Sequence, residues 1–234
     1  STSRRQRQMC IRDSPSTGEW AELFGLADNV LAITISSQLS GSYDAAVMAR
    51  NMVLDEQGSA SKKICVVDSK SAGGPLEIAV VLLDRCLTTN PDASFEDISA
   101  FAEQVLRSSQ VLFSLSSYEN LVKNGRMPKL VGSLASTLSI RMLGTASSEG
   151  TIKIVGPTRG DKKTYKKIVE SMRSDGYHGG MVYIDHVDNL PGAQKVSDAI
   201  LAEWPDAEIH IVPCGGLCSY YAEQTGLIIG YEKL

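Results

Sequence analysis

No apolar run in this sequence is long enough to cross a bilayer. The longest unbroken one, Ile78 to Leu83, is a fraction of the roughly 20 residues that a helical span requires. Positive charge is not in excess either: 23 lysines and arginines face 27 aspartates and glutamates, for a formal net charge of −4. That balance argues against a nucleic-acid binder, which needs a basic footprint to offset phosphate. Cysteine is sparse and odd in number (Cys10, Cys65, Cys86, Cys214, Cys218). Cys65 and Cys86 sit in apolar segments, where a free thiol behaves as a small hydrophobe. A secreted disulfide scaffold is therefore disfavoured and a reducing cytoplasm expected. What is present, 234 residues of which 43% are apolar and 21% charged, suffices for one large domain or two small ones with a real core.

Residues 1–13, with four arginines and no apolar period, lack the layout of a signal peptide. They read as a non-native leader ahead of a chain whose true start is missing. From there, Asn29 to Ser36 and Lys63 to Asp68 are compact β-branched runs that predict buried strands. Tyr43 to Met52 suits a helix. Leu76 to Leu87, entered through Pro75, is helical and apolar nearly all round, so protein or a bound apolar ligand must cover it on both sides. Ser94 with Asp97 resembles a capping box ahead of Ile98, Phe101, Ala102, Val105 and Leu106 at helical spacing. Gln110 to Leu115 is a third strand. Strand–helix–strand–helix–strand predicts a parallel, Rossmann-like sheet over 14–113.

The second half alternates differently. Helices are expected at Tyr118 to Lys123, Leu130 to Leu138, Lys162 to Arg173 and Pro191 to Glu203. Strands are expected at Ile140 to Ala146, Thr151 to Gly156, Met181 to Asp185, Glu208 to Val212 and Leu227 to Tyr231. The turn at Glu149-Gly150 suits a hairpin. Adjacent strands without a helix between them predict an α+β subdomain over 114–234.

Two loops gather hydroxyls at the carboxyl ends of strands, where ligands of open α/β sheets bind. The first is Ser36-Ser37-Gln38-Leu39-Ser40-Gly41-Ser42 and the second Asp68-Ser69-Lys70-Ser71-Ala72-Gly73-Gly74. Two readings fit both loops: serines as helix caps, or an anion site built from hydroxyls and free amides at a helix start. A catalytic reading needs Ser40 or Asp68 as nucleophile in a hydrolase or phosphotransferase. His186, beside Asp185 and Asp188, is the best base among His178, His186 and His210, but the Gly-x-Ser-x-Gly elbow is absent. Gly156-Pro-Thr-Arg-Gly160-Asp-Lys-Lys-Thr164 narrowly misses a phosphate-cradling spacing. His210, Cys214 and Cys218 invite a metal reading but lack a fourth ligand.

Several of these segments together resemble the DegV family, over about Pro15 to Leu234. Ile35-Ser36-Ser37-Gln38-Leu39-Ser40-Gly41-Ser42-Tyr43 is similar to its I-S-S-x-L-S-G-T-Y segment, with Ser42 at the threonine. Val66-Val67-Asp68-Ser69-Lys70-Ser71 resembles its V-x-D-S-x-x strand end, and Asn120 to Arg126 its L-x-x-G-G-R-I stretch. Ile140-Arg141-Met142 and Thr158-Arg159 stand at the I-K-P and V-R positions.

The resemblance implies a two-subdomain α/β protein that is not itself an enzyme and takes no cofactor or metal. It would bind a long-chain fatty acid and present it to a separate fatty-acid kinase that phosphorylates the carboxyl group. The carboxylate would be held by Ser37, Ser40, Gly41 and Ser42. The tail would lie in a tunnel between subdomains lined by Leu76–Leu87 and Leu130–Leu138. Tyr221 falls where the family has a ligand-contacting histidine, and Arg126, Arg141 and Arg159 become candidates for the rim or for partner contact. Of the family's T-S-x-P-S segment only Ser14-Pro15-Ser16 remains, and its leading strand is absent. An interaction module with a vestigial pocket is a third reading, and would show no continuous apolar tunnel.

Overall fold

The computed structural model describes residues 14–57, 62–127 and 140–233. The expected leader at 1–13 and the expected helix at Leu130–Leu138 lie outside the described residues. The chain builds five layers, in which helices and sheets alternate.

The outermost layer is α1 (Thr17–Gly25) and α2 (Ser42–Gln57). α1 starts at a capping box: Ser16 Oγ accepts from the Glu19 amide, and the Glu19 carboxylate accepts from the Ser16 amide. This helix is additional to those expected from the sequence, and Ser-x-x-Glu carries its signature. The far end of α1 is closed by Lys62, whose buried ammonium donates to the carbonyls of Phe24 at 2.6 Å and Ala27 at 2.7 Å. Carbonyls at a helix end have no partner within the helix, so a cation there does the work of a cap. Lys62→Met, which keeps the stem and removes the charge, is expected to lower stability by about 2 kcal/mol. A urea denaturation midpoint within error of the parent would refute this role.

Beneath that layer, β1 (Asn29–Thr34) and β2 (Lys63–Asp68) pair in parallel, with Asn29 opposite Lys63 and Thr34 opposite Asp68. Side chains alternate across a strand. Ala32 and Val30 therefore pack with Phe24, Ala46, Ala49 and Val53 of the outer helices, while Leu31 and Ile33 turn inward.

The central layer is α3 (Gly74–Thr89) and α4 (Phe95–Arg107), the latter capped by Ser94 on the Asp97 amide. Ile78, Ala79, Val105 and Leu106 meet Leu31, Ile33 and Val67 on one side and Met181 and Tyr183 on the other. That explains why Leu76 to Leu87 is apolar nearly all round. Protein covers the helix from two sheets, and Val80 and Leu87 lie on a remaining exposed strip.

The large sheet holds β3 (Ser109–Leu115), β4 (Ile140–Ala146), β5 (Ile152–Arg159), β6 (Met181–His186), β7 (Glu208–Pro213) and β8 (Leu227–Glu232). Its order is β5-β4-β3-β8-β6-β7. β3 runs antiparallel to both β4 and β8, and β6 runs parallel to β7. The parallel sheet is thus two-stranded. The third strand of the expected parallel series belongs instead to this mixed sheet. An apolar run reports that a strand is buried, not which neighbour it pairs with. The β4–β5 hairpin forms as expected around Glu149-Gly150. The other face of the sheet is covered by α6 (Asp161–Ser174) and α7 (Leu190–Glu203), through Ile168, Met172, Ala193, Val196 and Ile200. Two short helices, α5 (Glu119–Lys123) and α8 (Gly216–Ala222), complete the chain.

α3 reaches β8 through a contact of glycine on glycine. A Cβ placed on Gly74 would lie 2.6 Å from both Cα and N of Gly230. Among the described residues, no helix is long and apolar enough to cross a membrane.

Candidate functional site

α3 and α4 leave part of the large sheet's inner face bare, and there the structure forms a cavity of about 270 Å³ that opens to the surface. Its floor is Val111, Phe113 and Leu115 of β3 with Ile152 of β5 and Ile228 of β8. Alternation along β3 sends Leu112 to the opposite core, under α6 and α7. The roof is Ile35, Leu39 and Ser40 of the loop after β1, and the sides are Leu121, Tyr221 and Ala222 of the short helices. The wall is overwhelmingly apolar, the character of a site for a hydrocarbon. α3 does not line it. The expectation that Leu76–Leu87 forms a tail tunnel is corrected, because two sheets already occupy that helix's apolar surface.

Polar groups gather at one part of the wall. Ser40 Oγ is hydrogen-bonded to Ser14 Oγ at 3.2 Å and to Ser42 Oγ at 3.1 Å. The Arg126 guanidinium donates from Nε to the Leu39 carbonyl at 3.1 Å, and its Cζ stands 5.8 Å from the centre of the Tyr221 ring. Ser14, Ser40, Arg126 and Tyr221 all line the cavity, so hydroxyls, a phenol and a fixed cation share one stretch of a largely apolar wall.

The remaining candidates are placed differently. Ser37, Gly41 and Ser42 do not line the cavity. Ser37 instead donates from N and Oγ to the Asp68 carboxylate at 3.1 and 2.6 Å, and the Lys70 amide also donates to Asp68, at 3.0 Å. These bonds tie the two hydroxyl loops into one unit. Ser42 is buried behind Ser40. Arg141, only 17% exposed at its side chain, donates to the Thr225 carbonyl at 3.0 Å and stands 3.7 Å from the Asp161 carboxylate. Arg159 is exposed at the end of β5.

The loop unit is fastened to the large sheet at Gly150. Ser36 Oγ donates to the Gly150 carbonyl at 2.8 Å. Gly150 has φ +83°, and a Cβ there would run into Ser36 Oγ and the backbone of Lys70. Only glycine serves that turn.

The partners of a Ser–His hydrolase do not meet. Ser40 and Asp68 are bonded as above, and His186 Nδ1 accepts from the Asn189 amide at 3.3 Å. His210 stacks on Tyr183 and contacts Glu208 at 3.0 Å. Burial pushes the Cys214 thiol up to about 12 and raises that of Cys218, and nearby carboxylates add to both shifts. A thiol held protonated is a poor nucleophile. No group of three metal-ligating side chains comes together among the described residues.

One pair of carboxyl groups lies beside the floor. Asp185 pairs in register with Ile228, and Glu77 of α3 faces it. Burial, then the neighbouring Glu77, pushes the Asp185 carboxyl up to about 8, and burial raises Glu77 as well.

The sequence pointed to Ser40 through loop position and to Tyr221 through the resemblance. It named Arg126, Arg141 and Arg159 alike for the rim or for partner contact, and could not choose Arg126, because its place depends on the turn after α5 folding back onto Leu39. Nor did it identify the floor, which is assembled from strands distant in the chain.

Comparison with known proteins agrees with this architecture. A family model described as an uncharacterised protein, DegV family, matches residues 8–233. A DegV domain-containing protein of Streptococcus pyogenes serotype M3 is 39% identical over 218 residues, 93% of this chain and 76% of that protein. The crystal structure of a DegV family protein from Eubacterium eligens loaded with heptadecanoic acid superposes with a TM-score of 0.89. It shares 36% identity, over 94% of this chain and 78% of that one. The Streptococcus pneumoniae fatty acid kinase (Fak) B3 protein loaded with linoleic acid superposes with a TM-score of 0.88. There the identity is 37%, over 93% of this chain and 76% of that one.

Proposed function

This chain belongs to the DegV family, and from that premise we propose that it binds a long-chain fatty acid and presents it, in the cytoplasm, to a separate fatty-acid kinase. The observation that carries the reading is the apolar cavity with Ser14, Ser40, Arg126 and Tyr221 gathered on one part of its wall. The carboxylate lies against that part and the acyl chain runs over Val111, Phe113 and Ile228. Similar proteins crystallised with heptadecanoic and linoleic acid support the ligand class, and the naming of one as a fatty acid kinase B protein supports the partner.

The energetics favour such a ligand. Burying a sixteen-carbon chain gains about 0.8 kcal/mol per methylene, roughly 10 kcal/mol before the costs of ordering it. The polar groups then fix which end of the chain points where. Tyr221 can donate to a carboxylate but carries no positive charge. Arg126, held 5.8 Å over its ring, supplies the cation. Ser37, Gly41 and Ser42 act one step back, by holding the loop that carries Ser40. Arg159, exposed on β5, is the arginine best placed for the partner.

Native mass spectrometry of the purified protein, followed by denaturing lipid extraction, tests the reading. One fatty acid per chain is the expected result. A protein that arrives empty and takes up neither added oleate nor palmitate would overturn it.

A further inference from the structure

We propose that Ser71 is an additional carboxylate ligand of this cavity, donating its hydroxyl hydrogen to the bound acid. The inference rests on the fatty-acid reading and adds a residue to it.

Ser71 lies on the loop after β2, is 8% exposed and lines the cavity. Its backbone is fully engaged. The amide donates to Ser69 Oγ at 3.1 Å, and the carbonyl accepts from the Ser36 amide at 2.8 Å and from Ser69 Oγ at 3.1 Å. The hydroxyl is the exception, a buried oxygen without a hydrogen-bond partner. Such a group has lost its water and gained nothing in return, which makes it costly to retain.

Capping does not account for it. The cap position ahead of α3 is Gly73, and no side chain caps that helix. The local turn is made by Ser69, not Ser71. Neighbouring wall hydroxyls do have partners: Thr145 Oγ1 donates to the Val111 carbonyl at 2.7 Å, and Ser40 bonds Ser14 and Ser42.

Position selects the acceptor. Ser36, which donates its amide to Ser71, also accepts the Ser40 amide on its own carbonyl at 3.1 Å. Ser71 is therefore one backbone hydrogen bond from the turn that carries Ser40, on the polar side of the wall. A donor waiting there matches an anionic oxygen, and a hydrogen bond to a charged acceptor is stronger than one to a neutral acceptor.

The test compares the parent protein with Ser71→Ala, using palmitate and hexadecan-1-ol as paired ligands of equal length. Palmitate affinity is expected to fall about tenfold, and the alcohol's by less than about threefold. The empty variant should melt at the parent's temperature or above it, since a lone buried hydroxyl has been removed. Equal losses for acid and alcohol, or no loss of palmitate binding, would overturn the proposal. So would a variant that loses palmitate only because its fold is destabilised. Failure of the parent itself to bind palmitate would instead refute the fatty-acid reading.

Discussion

Gly74→Ala is expected to destabilise the protein by about 3 kcal/mol, although alanine is the better helix former by about 1 kcal/mol. Position 74 is the first residue of α3, where helix propensity alone predicts a gain. The added methyl would instead lie 2.6 Å from Cα and N of Gly230, and neither side can yield. Gly230 is on β8, which is paired with β3 on one edge and β6 on the other. α3 is itself held between two sheets. At about 2–4 °C per kcal/mol for a chain of this size, the melting temperature should fall by roughly 10 °C. Gly230→Ala meets the same obstruction from the other side and should behave alike. A Gly74→Ala protein as stable as the parent would show that helix and strand are not in the contact described.

Asp185→Asn should raise stability, and more so in alkali. The Asp185 carboxyl is held up at about 8 by burial and by Glu77, against an ordinary value of 3.8. Below both values it is protonated whether the chain is folded or unfolded, and contributes nothing. Between about 4 and 8 the unfolded chain releases the proton that the folded chain keeps, so stability falls as pH rises. Above 8 the buried charge carries its full penalty. Asparagine retains an acceptor for the Gly74 amide and a donor toward Glu77 without ionising. The melting temperature of the variant should exceed the parent's by about 5 °C or more at pH 8.5 and differ little at pH 4. A gain independent of pH, or a loss, would contradict the assignment.

How far this architecture is legible in the sequence depends on the range of the interaction. Local signals read true. Ser94 with Asp97 does start a helix, and Glu149-Gly150 does turn a hairpin, because each is decided within a few residues. The Ser16–Glu19 box is just as local, and it starts a helix directly after the arginine-rich segment. α8 has no such signal, because it is only seven residues long and is entered through Gly215 with no side-chain cap. Pairing was the harder matter. Val111, Phe113 and Leu115 show the period of a strand with two faces, but nothing in that period says that β8, more than a hundred residues on, will be its neighbour. The cavity floor inherits that opacity. Ser71 shows the same limit for the site: the sequence placed it in a hydroxyl loop, but only the folded chain shows that its hydroxyl has no partner.

The row Ser14–Ser40–Ser42 is joined by contacts in which either oxygen can be the donor. Such a row has no intrinsic direction. Turning each O–H about its C–O bond reverses the polarity of the whole line while every heavy atom stays in place, on the picosecond-to-nanosecond scale of small side-chain rotations. A rigid set of amides can only donate. This row can donate to an anion and then, after one collective rotation, accept from a group that has gained a proton or lost its charge. The polarity that Ser40 presents to the cavity is thus set by the orientation of O–H bonds and not by the position of any heavy atom.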